Sequence, residues 1–172
     1  SIIVDLKDKS ALARLPKRTA VEAAVVLQNL RPGAADGLGL GTTDIRDLNE
    51  GIIFCNLWAF GAEGPLAARP GFDALMRAFG GIMAVTGEVG QPPVRTRVSV
   101  VDIGTGMWRA IGILSALNRR HETGKGGVID TSLFESALAW TAYYNMDAQV
   151  TGQAPQRHGY GVRGITLCQA YE

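Results

Sequence analysis

The feature that most limits what this chain can fold into is an alternation. Short apolar runs rich in β-branched residues, AAVVL (23–27), GIIFCNL (51–57) and GVIDTSL (127–133), are separated by segments with helical caps or helical spacing. A run of four to eight such residues between turn signals reads as a buried strand. Strands separated by helices pair in parallel through crossovers, not through tight hairpins. The chain therefore reads as α/β, a Rossmann-like parallel sheet flanked by helices. IIVDL (2–6) reads as one more strand at the start, and ITLCQAYE (165–172) as the opening of another.

The helices follow from caps and breakers. Ser10 is placed to cap a helix over ALARL, which Pro16 should end or kink. TTDIRDLN (42–49) has a threonine cap and early acids, so it reads as a short helix. A glycine- and proline-rich loop at 60–72 precedes a helix expected from Asp73 to Met83, and VTGEVGQPPVRTR (85–97) is a second loop. SVVDIGTGMWRAIGILSALNRR (99–120) then runs through apolar residues to one carboxylate, Asp102. It continues as a largely buried helix on Met107, Ile111, Leu114 and Leu117, to about His121. A further helix is expected from Phe134 to about Ala148. There is no internal repeat.

Composition narrows the function classes. With 17 basic and 16 acidic residues the net charge is +1, which gives no electrostatic footprint for nucleic acid or an anionic membrane. No uninterrupted apolar run reaches the ~20 residues of a membrane span, and SIIVDLKDKS lacks a signal-peptide layout. Cys55 and Cys168 stand apart from any ligand motif and read as reduced thiols of a cytoplasmic protein. His121 and His158 are the two histidines, and neither has a partner at ligand spacing, so no metal site is expected.

Few residues are left to carry chemistry. There is no GxSxG, and GLGLG (37–41) reads as a turn, since its third glycine comes too early for a dinucleotide loop. Asp102 is the interesting acid. Its plain role is to cap the helix behind it. A carboxylate facing the positive end of a helix also stays ionised and can act as a nucleophile. Gly104 and Gly106 would let a bulky ligand come close. Asp73 is a second acid at a helix start, and Asp130 reads as a strand-end or capping residue. Trp58, Trp108, Trp140, Tyr143 and Tyr144 read as core or interface.

Eight blocks, in order, resemble the class III CoA-transferases (CaiB/BaiF type, the formyl-CoA and carnitine CoA-transferase family). They are VDLK (4–7), QNLRPG (28–33), LGLG (38–41), LNEGIIFCNLWAFGAEGP (48–65), RPGFDALMRAFGGIMAVTG (69–87), VSVVDIGTGMWRAIGILSAL (98–117), RHETGKGGVIDTSLFESAL (120–138) and QAYE (169–172). The resemblance implies that this sequence is similar to an interior slice of a longer chain. Residues 1–150 would be most of a large Rossmann-like domain and 151–172 the start of a linker toward a smaller one. It implies that Asp102 attacks an acyl-CoA thioester and that CoA passes to a small carboxylic acid through a covalent aspartyl intermediate. It implies contacts to coenzyme A from Lys7, Asn29, Leu30, Arg31, Arg69, Phe72, Asp73 and Leu133, no metal, and an interlocked homodimer in the full-length protein. Where some relatives carry a basic residue after RPG, this chain has ADG (35–37). The racemases of the same family look as if they need a histidine where this chain has Phe72, which cannot exchange a proton. An acyl-CoA racemase and a non-catalytic CoA-binding fragment are the alternatives.

Overall fold

The computed structural model describes residues 3–161 and Ile165. Its elements are α1 (Lys9–Glu22), β1 (Val25–Gln28), α2 (Ala34–Gly37), α3 (Thr42–Arg46), β2 (Ile53–Trp58), α4 (Asp73–Phe79), α5 (Ile82–Val85), α6 (Val100–Thr123), β3 (Gly127–Ser132), α7 (Leu133–Trp140) and α8 (Ala142–Thr151). They fall into two compact units, Ser1–Pro70 with Thr105–Ser132 and Gly71–Gly104 with Leu133–Glu172. This grouping differs from a cut at residue 150, because the chain leaves the first unit after Pro70 and re-enters it along α6.

The first unit holds a three-stranded parallel sheet in the order β1-β2-β3, as the alternation requires. Register aligns Val25, Ile53 and Gly127 at one end, and Gln28, Asn56 and Asp130 three residues on. The central strand is the most buried: Ile53, Phe54 and Cys55 are fully covered. Ala20 of α1 and Ile45 of α3 pack with Ile52 and Phe54 into one core. The far end of α6 is tied to the sheet through its arginines. Arg120 donates to the carbonyls of Ala24 (3.1 Å) and Gly51 (3.2 Å), and Arg119 to that of Gly126 (2.6 Å). Gly126 is obligatory there, since a Cβ would sit 2.0 Å from the Ile52 carbonyl oxygen.

The second unit is helical. α4 packs on α7, with Phe79 and Phe134 edge to face at 5.4 Å. The expected single helix after Asp73 is two, because Gly81 adopts a left-handed φ of 85° between α4 and α5. The expected helix 134–148 also divides, at Thr141, whose hydroxyl lies 3.0 Å from the Gly80 carbonyl.

Several local expectations give way to tertiary structure. IIVDL forms no strand over its described residues, 3–6, and Ile3 is fully exposed; a strand needs a neighbour's hydrogen bonds, and none pairs there. α1 is capped by Asp8, whose carboxylate accepts from the amides of Ser10 and Ala11 at 2.8 and 3.3 Å, not by Ser10. Those hydrogen bonds, the Ser10 hydroxyl first among them, hold the Asp8 carboxyl below its ordinary pKa. Pro16 does not end α1; the burial of Ala20 and packing on α3 outweigh its local penalty of about 3 kcal/mol. α3 is capped from Gly41, not from a threonine, and the Gly41 amide donates to Asp44 at 3.0 Å. α6 begins at Val100, so Asp102 lies inside its first turn and not before it. ITLCQAYE, apart from Ile165, and with it Cys168, lies outside the described residues.

α6 is also less buried than its pattern suggests. Met107, Ile111 and Leu114 are 59%, 52% and 66% exposed. The apolar period marks a face of the helix but does not say what covers it. At 24 residues α6 is long and apolar enough to cross a membrane by length and composition alone. Counting uninterrupted apolar residues missed this, because Gly104, Thr105, Gly106 and Arg109 break the run.

Candidate active site

The start of α6 is built by another helix. One oxygen of the Asp73 carboxylate, Oδ2, accepts from the backbone amides of Val101 (3.0 Å) and Asp102 (3.1 Å). The first N–H groups of a helix have no partner within it, and an acceptor here satisfies two of them. So the capping that sequence assigns to Asp102 is done by Asp73. The other Asp73 oxygen, Oδ1, is ion-paired to Arg77, one turn along α4. Arg77 Nη1 also donates to the Thr96 carbonyl, to Thr96 Oγ1 (3.0 Å) and to the Val98 carbonyl (3.1 Å), gripping the chain that leads into α6. Both side chains of this pair are almost fully buried, 7% and 4% exposed.

Relieved of capping, Asp102 is exposed. Its carboxyl titrates above the ordinary aspartate range, first because part of its hydration is lost and second because Asp73 sets a like charge nearby; Arg77 opposes the rise. Gly104 does not leave room for a ligand. A Cβ there would stand 2.7 Å from Trp140 Nε1, so the indole occupies that space, whereas nothing stands within 4 Å at Gly106. Phe72 immediately precedes α4 and is 66% exposed. Leu133 opens α7 and is buried.

The first unit carries a second candidate, at the carboxyl edge of its sheet. A polar row crosses the strands: Gln28 Nε2 donates to Asn56 Oδ1 (2.6 Å), and Asn56 Nδ2 donates to Asp130 Oδ1 (2.8 Å). Gln28 Oε1 accepts from the Leu30 amide (2.8 Å), which anchors the Asn29–Leu30–Arg31 loop to the sheet. Gln28, Arg31, Asn56 and Trp58 help line a cavity of about 220 Å³. The buried indole N–H of Trp58 has no hydrogen-bond partner among the described residues. Ligands of open parallel sheets bind at this edge.

Of the expected CoA-contacting residues in this unit, Arg31 lines the cavity, while Lys7, Asn29, Leu30 and Arg69 are exposed and do not. Sequence reading missed Arg77 and Asn56. Arg77 stands four residues after Asp73 on a helix, the spacing of an intrahelical ion pair. Asn56 is an amide inside an otherwise apolar strand, which marks a buried polar group needing partners. Among the described residues no group of three metal-ligating side chains comes together.

A polar carboxyl edge on the parallel sheet of the first unit, and an exposed carboxylate on a helix start in the second, are the two candidate sites of this α/β protein. The sequence model for CoA-transferase family III matches residues 1–172, and the chain belongs to that family. It is 36% identical over 159 residues to a succinyl-CoA–D-citramalate CoA-transferase of Chloroflexus aurantiacus, covering 92% of this chain and 39% of the relative. It is 38% identical over 160 residues to an acetyl-CoA:oxalate CoA-transferase of Acetobacter aceti, covering 92% and 41%. The crystal structure of a CaiB/BaiF family protein from Brucella suis superposes with a TM-score of 0.88 at 35% identity, over 97% of this chain and 44% of that one. The chain thus spans about two fifths of the length of these relatives.

Proposed function

We propose that the protein transfers CoA from an acyl-CoA to a small carboxylic acid, with Asp102 as covalent nucleophile. The observation that carries this reading is the freedom of the Asp102 carboxylate. It stands exposed on the first turn of α6, while a neighbouring acid does the capping. The resemblance puts the family's nucleophile-bearing motif on VVDIGTGMW.

The steps balance without any co-reactant. An Asp102 oxygen attacks the thioester carbonyl, the C–S bond breaks, and CoA leaves as thiolate, giving a mixed anhydride. The thiolate attacks the aspartyl carbonyl, releasing the donor acid as carboxylate and leaving an aspartyl-CoA thioester. The acceptor carboxylate attacks that thioester, thiolate leaves again, and it takes the acyl group of the second anhydride. Asp102 is regenerated. Because the side chain itself becomes the activated acyl group, the thioester's energy is conserved provided water is excluded.

The relatives named for citramalate and oxalate favour a small dicarboxylic acid as acceptor. Arg31 beside the cavity of about 220 Å³ is suited to a CoA phosphate, and a homodimer is the expected assembly. Racemisation is disfavoured, since Phe72 offers no second base.

The test is mass spectrometry after incubation with acetyl-CoA, succinyl-CoA and hydroxylamine. A hydroxamate on the peptide containing Asp102, absent in Asp102→Asn, is the expected result, together with loss of transfer in that variant. Near-normal transfer by Asp102→Asn would refute the proposal. Exchange of the α-proton in deuterated water without transfer would indicate the racemase instead.

A further inference from the structure

We infer that Asp73, held by Arg77, is the positioning residue for Asp102: it fixes the nucleophile's backbone and sets the charge that faces its carboxylate. This rests on Asp102 as nucleophile and goes beyond it, because both oxygens of the buried Asp73 carboxylate are engaged by the start of α6 and by Arg77.

The geometry is specific. The acceptor for the first turn of α6 comes from a different helix, 28 and 29 residues earlier in the chain. One of the two amides it holds is that of Asp102 itself. The second Asp73 oxygen is committed to Arg77, so the carboxylate cannot swing away without breaking a buried ion pair. Arg77 in turn holds Thr96 and Val98 at the approach to α6. A helix start left to itself frays. Here it is held from two sides by one ion pair of α4, and a reacting group must be held to within about 0.5 Å to be effective.

The same pair governs charge. Asp73 and Arg77 are so little exposed that water screens them weakly. Asp73 opposes ionisation of Asp102 and Arg77 favours it, with Asp73 the stronger of the two. Both come from α4. The last residue of α7, Trp140, meets the same turn at Gly104 with an uncharged ring. A carboxylate kept more basic than usual is, while ionised, the better nucleophile.

The experiment compares wild type with Asp73→Asn, Arg77→Met and the double variant, which leaves neither charge unpaired. Formation of the Asp102 adduct is followed against pH. The acid limb should fall in the order Asp73→Asn lowest, then the double variant, then wild type, with Arg77→Met highest. Asp73→Ala, which removes the acceptor, should slow adduct formation at the plateau by at least about tenfold (about 1.4 kcal/mol) and speed hydrogen exchange at the amides of Val101 and Asp102. Carbon-13 NMR titration of the Asp102 carboxyl reads the same order without turnover. Failure of the nucleophile reading would therefore leave that order in place. Identical titrations in wild type, Asp73→Asn and the double variant would overturn the inference, whether or not Arg77→Met folds.

Discussion

Removing Arg77 should be among the most damaging single changes to the second unit. Arg77→Met keeps the bulk of the side chain and deletes its charge. The Asp73 carboxylate, 7% exposed, then remains in place with the amides of Val101 and Asp102 as its remaining donors among the described residues. The Thr96 and Val98 carbonyls lose a donor too, but they lie in a largely exposed segment where water replaces it. Most of the loss comes from the unpaired buried charge, which costs about 3–5 kcal/mol when one partner of such a pair is removed. Urea unfolding at pH 7, followed by circular dichroism and tryptophan fluorescence, measures it. The double variant Asp73→Asn/Arg77→Met should recover most of the loss, because a buried pair replaced by neutral groups is close to neutral overall. A loss below about 1 kcal/mol for Arg77→Met would refute the reasoning, as would a double variant no more stable than the single one; about 1 kcal/mol is the scale of an exposed pair.

Three further outcomes are expected. Folding favours the protonated form of Asp102 more than the unfolded chain does, since its carboxyl titrates above the ordinary range. Its ionisation therefore costs stability above that range, and Asp102→Asn should be more stable at pH 7 by roughly a few tenths of a kcal/mol after solvent screening. That gain should vanish as pH falls below about 3.9, the unfolded value; a gain that grows toward acid would have the wrong sign. Gly104→Ala drives a Cβ to 2.7 Å from the Trp140 indole nitrogen and should cost about 1–3 kcal/mol with an altered near-ultraviolet tryptophan signal; an unchanged signal counts against the contact. Asn56→Ala leaves Gln28 and Asp130 without their shared partner and should cost about 1–3 kcal/mol by chemical denaturation, whereas a neutral result would mean the row is solvated.

What sequence decided on its own was whatever depends on local period and residue chemistry. The runs around Val25, Ile53 and Val128 had to be strands, since β-branched residues in short apolar stretches separated by helices have no other buried arrangement. The order of the eight blocks was enough to place the chain in its family. Tertiary structure decided whatever depends on which groups meet. IIVDL pairs with no strand over its described residues, 3–6, and the apolar face of α6 through Met107, Ile111 and Leu114 stays open. The cap on α6 came from Asp73, 28 residues before Val101. Local pattern measures how well a residue suits a helix start, but a hydrogen bond goes to whichever acceptor the fold brings within about 3 Å, and that distance is not written in any one segment.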